Sequence, residues 1–212
     1  MLFFTSSAKS RALLAGLGLF LAAASAQAQA PAPASRYPAA SLGLGVGYGA
    51  PYGWGFEVSF MTLPRLDVNA GLGFSITGGK VGMGTRYYFT PERKVSPFVG
   101  GNLVYSTGLN NVNINTSGQT SNTYGGYYSS NDYVVVNFRS TALLHLRGGI
   151  RWQPVRRFGL LGAVGYGAVL GPDAVEYVGG NASQSNRDLV RIFSPGGVEL
   201  SVGVAFGVGS SY

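Results

Sequence analysis

Cysteine is absent from this chain and histidine occurs once. The first absence excludes a disulfide framework, a thiolate metal site and a lipid-modified amino-terminal cysteine. Together the two leave no ligand set for a structural zinc centre. Charge is also sparse: Asp, Glu, Lys and Arg make up 11% of the residues. The formal net charge of +7 is scattered, with no run of one sign, so nothing in it points to nucleic acid. Beyond the amino-terminal region no apolar stretch approaches the roughly 18 residues that a membrane-crossing helix needs. The 34 glycines follow no Gly-X-Y repeat, which excludes a collagen helix.

What the chain does have begins at its front. Lys9 and Arg11 precede an apolar core at residues 12–24, ALLAGLGLFLAAA. Ala26-Gln27-Ala28 and Ala28-Gln29-Ala30 are both small-x-small cleavage sites. This is the layout of a secretory signal peptide, expected over residues 1–28. A cut after Ala28 is preferred to one after Ala30, which would leave Pro31 beside the scissile bond. Removing Lys9 and Arg11 lowers the formal charge from +7 to +5. Residues 29–40 read as a Pro/Ala linker, and residues 41–212 as one domain.

That domain alternates with period two almost throughout, the signature of β-strands with two unlike faces. In the closing segment Val198, Leu200, Val202, Val204, Phe206 and Val208 alternate with Glu199, Ser201, Gly203, Ala205, Gly207 and Gly209. The same division recurs at residues 42–48, 54–61, 66–76, 81–89, 99–106, 133–152 and 158–170. Gly78-Gly79 reads as a two-residue hairpin turn. Residues 108–132, rich in Asn, Ser, Thr, Gly and Tyr (Tyr124, Tyr127 and Tyr128 among them), read as a long polar loop. A second such loop is expected over 171–190. Eight strands of this kind predict an all-β fold, an eight-stranded antiparallel up-and-down transmembrane β-barrel with apolar side chains toward lipid and small or polar ones toward the lumen. The closing strand then pairs with the first at Leu42–Tyr48. If the carboxyl terminus is periplasmic, the turns at 62–65, 90–94 and 153–157 are periplasmic too, and both long loops fall on the external side.

Two sets of residues stand out. Aromatics cluster at strand ends: Tyr48, Trp54 and Tyr105 at external ends, with Tyr87, Phe89, Trp152, Phe158 and Tyr212 at periplasmic ends. Aromatic rings favour the bilayer interfaces, so these form an expected girdle. On the inward face, Arg86, Arg139, Arg147 and Arg151 need partners if buried. Glu57, Asp67 and Glu199 are the inward carboxylates, and His145 is inward as well. A lumen charge network among these eight residues follows. Pairing through the turn at 153–157 sets Arg151 against Gly159, Arg147 against Ala163 and His145 against Gly165, so that large side chains face small ones.

The signal peptide, the eight amphipathic strands, Gly-x-Arg-Tyr-Tyr-Phe at Gly84–Phe89, Pro-Phe-Val-Gly-Gly at Pro97–Gly101 and the aromatic carboxyl terminus resemble the small bacterial outer-membrane β-barrel family, the OmpA/OmpX-like "porin family". The resemblance implies residence in the outer membrane of a Gram-negative cell envelope. It implies contact with lipid and lipopolysaccharide, and recognition of the last strand by the barrel assembly machinery during insertion. No cofactor or metal is expected, and no catalytic residue: a hydrolytic triad needs a histidine beside a serine, and His145 sits between Leu144 and Leu146 with no serine at the spacing of lipid A deacylases. The expected role is structural or surface-interacting. A narrow pore for small solutes, a lipid A-modifying enzyme and a soluble lipocalin-like barrel with inverted faces stand as alternatives.

Overall fold

A computed structural model describes residues 35–115, 133–180 and 184–211. The expected signal peptide, Tyr124, Tyr127, Tyr128 and Tyr212 lie outside these residues. Among the described residues eleven strands and one helix follow in chain order. They are β1 (Pro38–Tyr48), β2 (Trp54–Leu63), β3 (Leu66–Ser75), β4 (Gly78–Tyr88), β5 (Val95–Ser106), β6 (Leu109–Asn115), β7 (Tyr133–Phe138), β8 (Thr141–Val155), β9 (Phe158–Leu170), β10 (Val175–Gly180), α1 (Gln184–Phe193) and β11 (Gly197–Ser211).

Eight of the strands close an antiparallel barrel in the order β1-β2-β3-β4-β5-β8-β9-β11. This is the up-and-down barrel that the alternation predicts. Closure runs through β1 and β11, with Leu42 opposite Phe206 and Tyr48 opposite Leu200. The barrel strands are 10 to 15 residues long, enough for tilted strands to cross a hydrocarbon core, which takes about 9–11. Among the described residues no helix is long and apolar enough to cross a membrane.

The two faces of the wall separate cleanly. Phe56, Phe74 and Leu200 are 65%, 64% and 60% exposed on the outside, while Asp67, Arg86, Asn102, His145, Arg151 and Glu199 are buried inside. Burying large apolar side chains is worth about 1.5–3 kcal/mol each, so an exterior of this kind is stable only against lipid. The inverted, lipocalin-like arrangement is thereby excluded, because it needs Phe56, Phe74 and Leu200 inside.

Several local expectations are corrected. The β3–β4 turn is Ile76-Thr77, with Ser75 opposite Gly78. Gly78 and Gly79 instead open β4, where the positive φ of 112° at Gly78 suits glycine. In β8 and β9 the turn is Arg156-Arg157, and a bulge lies between Trp152 and Val155. The register therefore moves by two residues: His145 faces Gly167, Arg147 faces Gly165 and Arg151 faces Leu161. A shift of two keeps every side chain on its face. Strand β1 begins at Pro38, inside the segment read as a linker.

The largest correction concerns residues 108–140 and 171–193. The segment read as a single strand over 133–152 breaks at Arg139-Ser140, and the expected polar loops contain β6, β10 and α1. Strands β6, β7 and β10 continue the chain paths of β5, β8 and β9 beyond the barrel and pair in the order β10-β7-β6. The bend is marked by Gly108 at φ 74° and by Arg139 N–H donating to Ala174 O at 2.8 Å. Val134, Val136 and Phe138, expected toward lipid, are buried with Val190 of α1 and packed by Val112, Ile114 and Val175. Alternation reveals an apolar face but not what covers it, and here the cover includes a helix.

Candidate functional site

The polar side chains of the barrel converge in its lumen, in layers from the short-turn end to the end carrying the small sheet. At the short-turn end, Tyr37, Met61, Tyr88, Phe98 and Ala163 form a buried apolar cluster. The Tyr37 and Tyr88 rings meet edge to face, with centroids 4.8 Å apart. The Arg151 guanidinium lies 4.3 Å from the Tyr37 centroid and 5.8 Å from that of Tyr88. Its Nε donates to Gln153 Oε1 at 2.9 Å, and its Nη1 to the Tyr88 hydroxyl at 3.4 Å. Gln153 in turn donates to Val155 O and Arg156 O, which fixes the β8–β9 bulge from inside.

The next layer is built on β2, β3 and β4. Arg86 Nη2 pairs with Glu57 Oε1 at 2.6 Å, and Arg86 Nε reaches Asp67 Oδ2 at 3.0 Å. Asp67 also accepts from the Tyr88 hydroxyl at 2.8 Å and from Asn69 Nδ2 at 3.4 Å. Asn102 Nδ2 donates to Asn69 Oδ1 at 2.8 Å and to the Tyr52 hydroxyl at 3.1 Å. Tyr52 comes from the β1–β2 connection and folds down into the barrel. A Cβ on Gly71 would stand 2.5 Å from its ring, so glycine there makes its place. The Tyr52 hydroxyl accepts from Asn102 and donates to Asn69 Oδ1 at 3.3 Å.

The third layer sits on β8 and β11. Arg147 Nη2 lies 3.0 Å from Glu199 Oε1 and donates to Ser201 Oγ at 2.9 Å. Ser201 Oγ donates to the same carboxylate oxygen at 2.9 Å. His145 Nδ1 stands 3.5 Å from Glu199 Oε2. The facing glycines give room: a Cβ on Gly165 would meet Arg147 Cβ at 2.9 Å, and one on Gly167 the His145 ring at 2.8 Å. Nearer the small sheet, the buried Lys80 donates to Ala50 O at 3.1 Å.

Of the eight residues expected in the lumen, Glu57, Asp67, Arg86, His145, Arg147, Arg151 and Glu199 line it, in two separate ionic groups with Arg151 apart from both. Arg139 does not. It is 54% exposed in the break between β7 and β8 and pairs with Glu176 of β10 at 3.1 Å. Its alternation with Asn137 and Thr141 holds only for an unbroken strand. Sequence reasoning omitted Tyr37, Tyr52, Tyr88, Asn69, Asn102 and Gln153 from the network. The signal for four of them was available, since Tyr88, Asn69, Asn102 and Gln153 share the inward parity of their charged neighbours. Tyr37 and Tyr52 lie outside strands, where parity says nothing.

Of the aromatic set, Tyr48, Trp54, Tyr105, Phe89 and Trp152 are exposed on the outer wall, and Tyr87 and Phe158 are half-buried. Tyr87 packs on Phe89 and Phe158 on Phe206, with centroids 5.5 and 5.8 Å apart. The Tyr48 hydroxyl donates to Ile192 O at the end of α1, tying the helix to the barrel rim. Among the described residues no group of three His, Cys, Asp or Glu side chains is placed to hold a metal ion.

Compared with family models and with curated proteins, the sequence matches none. Among solved structures it is similar to the N-terminal β-barrel domain of Pseudomonas aeruginosa OprF, at 10% identity and TM-score 0.45, over 79% of this chain and 93% of that one. It is similar to Neisserial surface protein A (NspA), at 14% identity and TM-score 0.41, over 80% and 93%. It is similar to Acinetobacter baumannii CarO, at 13% identity and TM-score 0.45, over 81% and 98%.

Proposed function

We propose that this protein is a non-catalytic integral barrel of the Gram-negative outer membrane, with a structural or surface-interaction role. The observation that carries this reading is the pairing of an apolar outer wall with a filled, ion-paired lumen. Eight strands leave an interior of side-chain size, and the layers from Tyr37 to Lys80 occupy it except for one small chamber. The small sheet and α1 give the outward end a folded platform, with Val134, Val136 and Phe138 as its core. Such a platform presents side chains in fixed positions, which lowers the ordering cost of binding a partner.

The lumen chemistry favours this reading over a lipid A-modifying enzyme. His145 is fully buried, and Ser201 is bonded to Glu199 and Arg147. An acid that bridges a serine and a histidine does not activate the serine, which needs the histidine itself as its base.

Fractionation tests the proposal. The expected result is protein in the outer-membrane fraction, resistant to carbonate extraction and migrating differently on gels before and after boiling. Planar bilayers should show no steady conductance. Recovery in the soluble periplasmic fraction, or a stable open channel, contradicts it.

A further inference from the structure

Among the described residues, one side of the lumen is lined by a row of glycines. Gly73 on β3, Gly55 on β2, Gly45 on β1 and Gly203 on β11 are register partners in turn across four neighbouring strands. Tyr52 fills the space over Gly71 and Gly73. Nothing equivalent fills the space beside Gly43 and Gly45, where an added Cβ would meet no atom nearer than 3.5 and 3.7 Å. A chamber of about 70 Å³ remains there, room for several water-sized species.

Its lining is electrostatically lopsided. Arg86, Arg147 and Arg151 face it together with one carboxylate, Glu57, whose Oε1 is already held by Arg86. Asp67 and Glu199, the other acids of the lumen, do not line it. In two of these side chains a buried donor, Arg147 Nε and Arg151 Nη2, has no partner among the described residues. The Arg147 side chain is 10% exposed, and Arg151 is 2% exposed. Among the described residues Arg151 has no direct carboxylate partner: its contacts are Gln153, Tyr88 and the Tyr37 ring. Guanidinium groups stay charged throughout the accessible pH range. Arg86 is balanced by Glu57 and Asp67, and Arg147 by Glu199, so the uncompensated positive charge beside the chamber is that of Arg151, and in a low-dielectric wall it makes the interior attractive to one negative charge. The hydroxyls of Ser41, Ser59 and Ser201 also line it.

We propose that this chamber binds a small inorganic monovalent anion, chloride under ordinary conditions, against Arg147 and Arg151. The size of the chamber restricts the site to compact anions. The anion would supply the partner that the free guanidinium hydrogens lack.

The test is halide-dependent stability of the whole folded chain in detergent micelles. Sodium bromide replaces sodium gluconate at constant ionic strength, and the thermal unfolding midpoint is followed. The midpoint is expected to rise with bromide and to keep rising with the logarithm of its concentration past saturation. Arg151→Gln should remove most of the rise. The double substitution Gly43→Ala with Gly45→Ala leaves every arginine in place and narrows the chamber, so it serves if Arg151→Gln does not fold; it too should blunt the rise. Crystals grown in bromide should show an anomalous peak within hydrogen-bond reach of Arg147 and Arg151. Superposable bromide and gluconate curves overturn the proposal. So do equal bromide responses in wild type and the glycine variant, or bromide crystals with no peak in the chamber.

Discussion

Arg151 lays its guanidinium 4.3 Å from the centroid of the Tyr37 ring, joining the carboxyl-terminal part of β8 to the residue just before β1. The stretch leading into β1 is thereby part of the barrel interior and closes its short-turn end. Tyr37 is fully buried, so Tyr37→Ala should cost on the order of 3 kcal/mol, from the cavity and from the bared cation. Tyr37→Phe keeps the ring against Arg151 and Tyr88 and should cost clearly less. Urea unfolding of the lipid-reconstituted protein, followed by the fluorescence of Trp54 and Trp152, measures both.

Arg86 is held between Glu57 and Asp67, all three largely withdrawn from water. Arg86→Met should destabilise the barrel by about 3–5 kcal/mol, because it strands two buried carboxylates. Adding Glu57→Gln and Asp67→Asn to Arg86→Met should recover part of that loss. Equal stability of the single and triple variants would show that the ion pairs are not what the single substitution breaks. The same unfolding assay reads the series.

The barrel strands were legible because lipid and lumen impose opposite demands on neighbouring residues, as Leu200 and Glu199 show within one step of β11. Inward parity likewise located Glu57, Asp67, Arg86, Arg147, Arg151 and Glu199. What parity cannot supply is the nature of the cover over an apolar face. Val134 and Val136 alternate as lipid-facing residues do, yet they lie beneath α1. Nor does it report a bend: Arg139 keeps the inward parity of a continuous strand while the chain breaks beside it. The β8–β9 register differs by two residues from the one the turn predicts, because a bulge at the turn leaves no mark on the alternation.

The small sheet should be separable from the barrel. Val136 is fully buried, and Val136→Asp places an unpaired charge in that cluster. Limited proteolysis of the folded variant should then cut between residues 109 and 139 while the barrel strands survive. Loss of the heat-dependent gel shift would instead mean that barrel and platform fold as one unit.

The lack of native cysteine makes single-cysteine labelling on intact cells a clean test of the central claim, that the wall meets lipid and the small sheet faces outward. A membrane-impermeant maleimide should label Glu176→Cys, on β10, and leave Phe56→Cys, on the outer wall, unmodified; Arg156→Cys, in the β8–β9 turn, should react only once the outer membrane is opened. Rapid labelling of Phe56→Cys, or of Arg156→Cys before that opening, would contradict it.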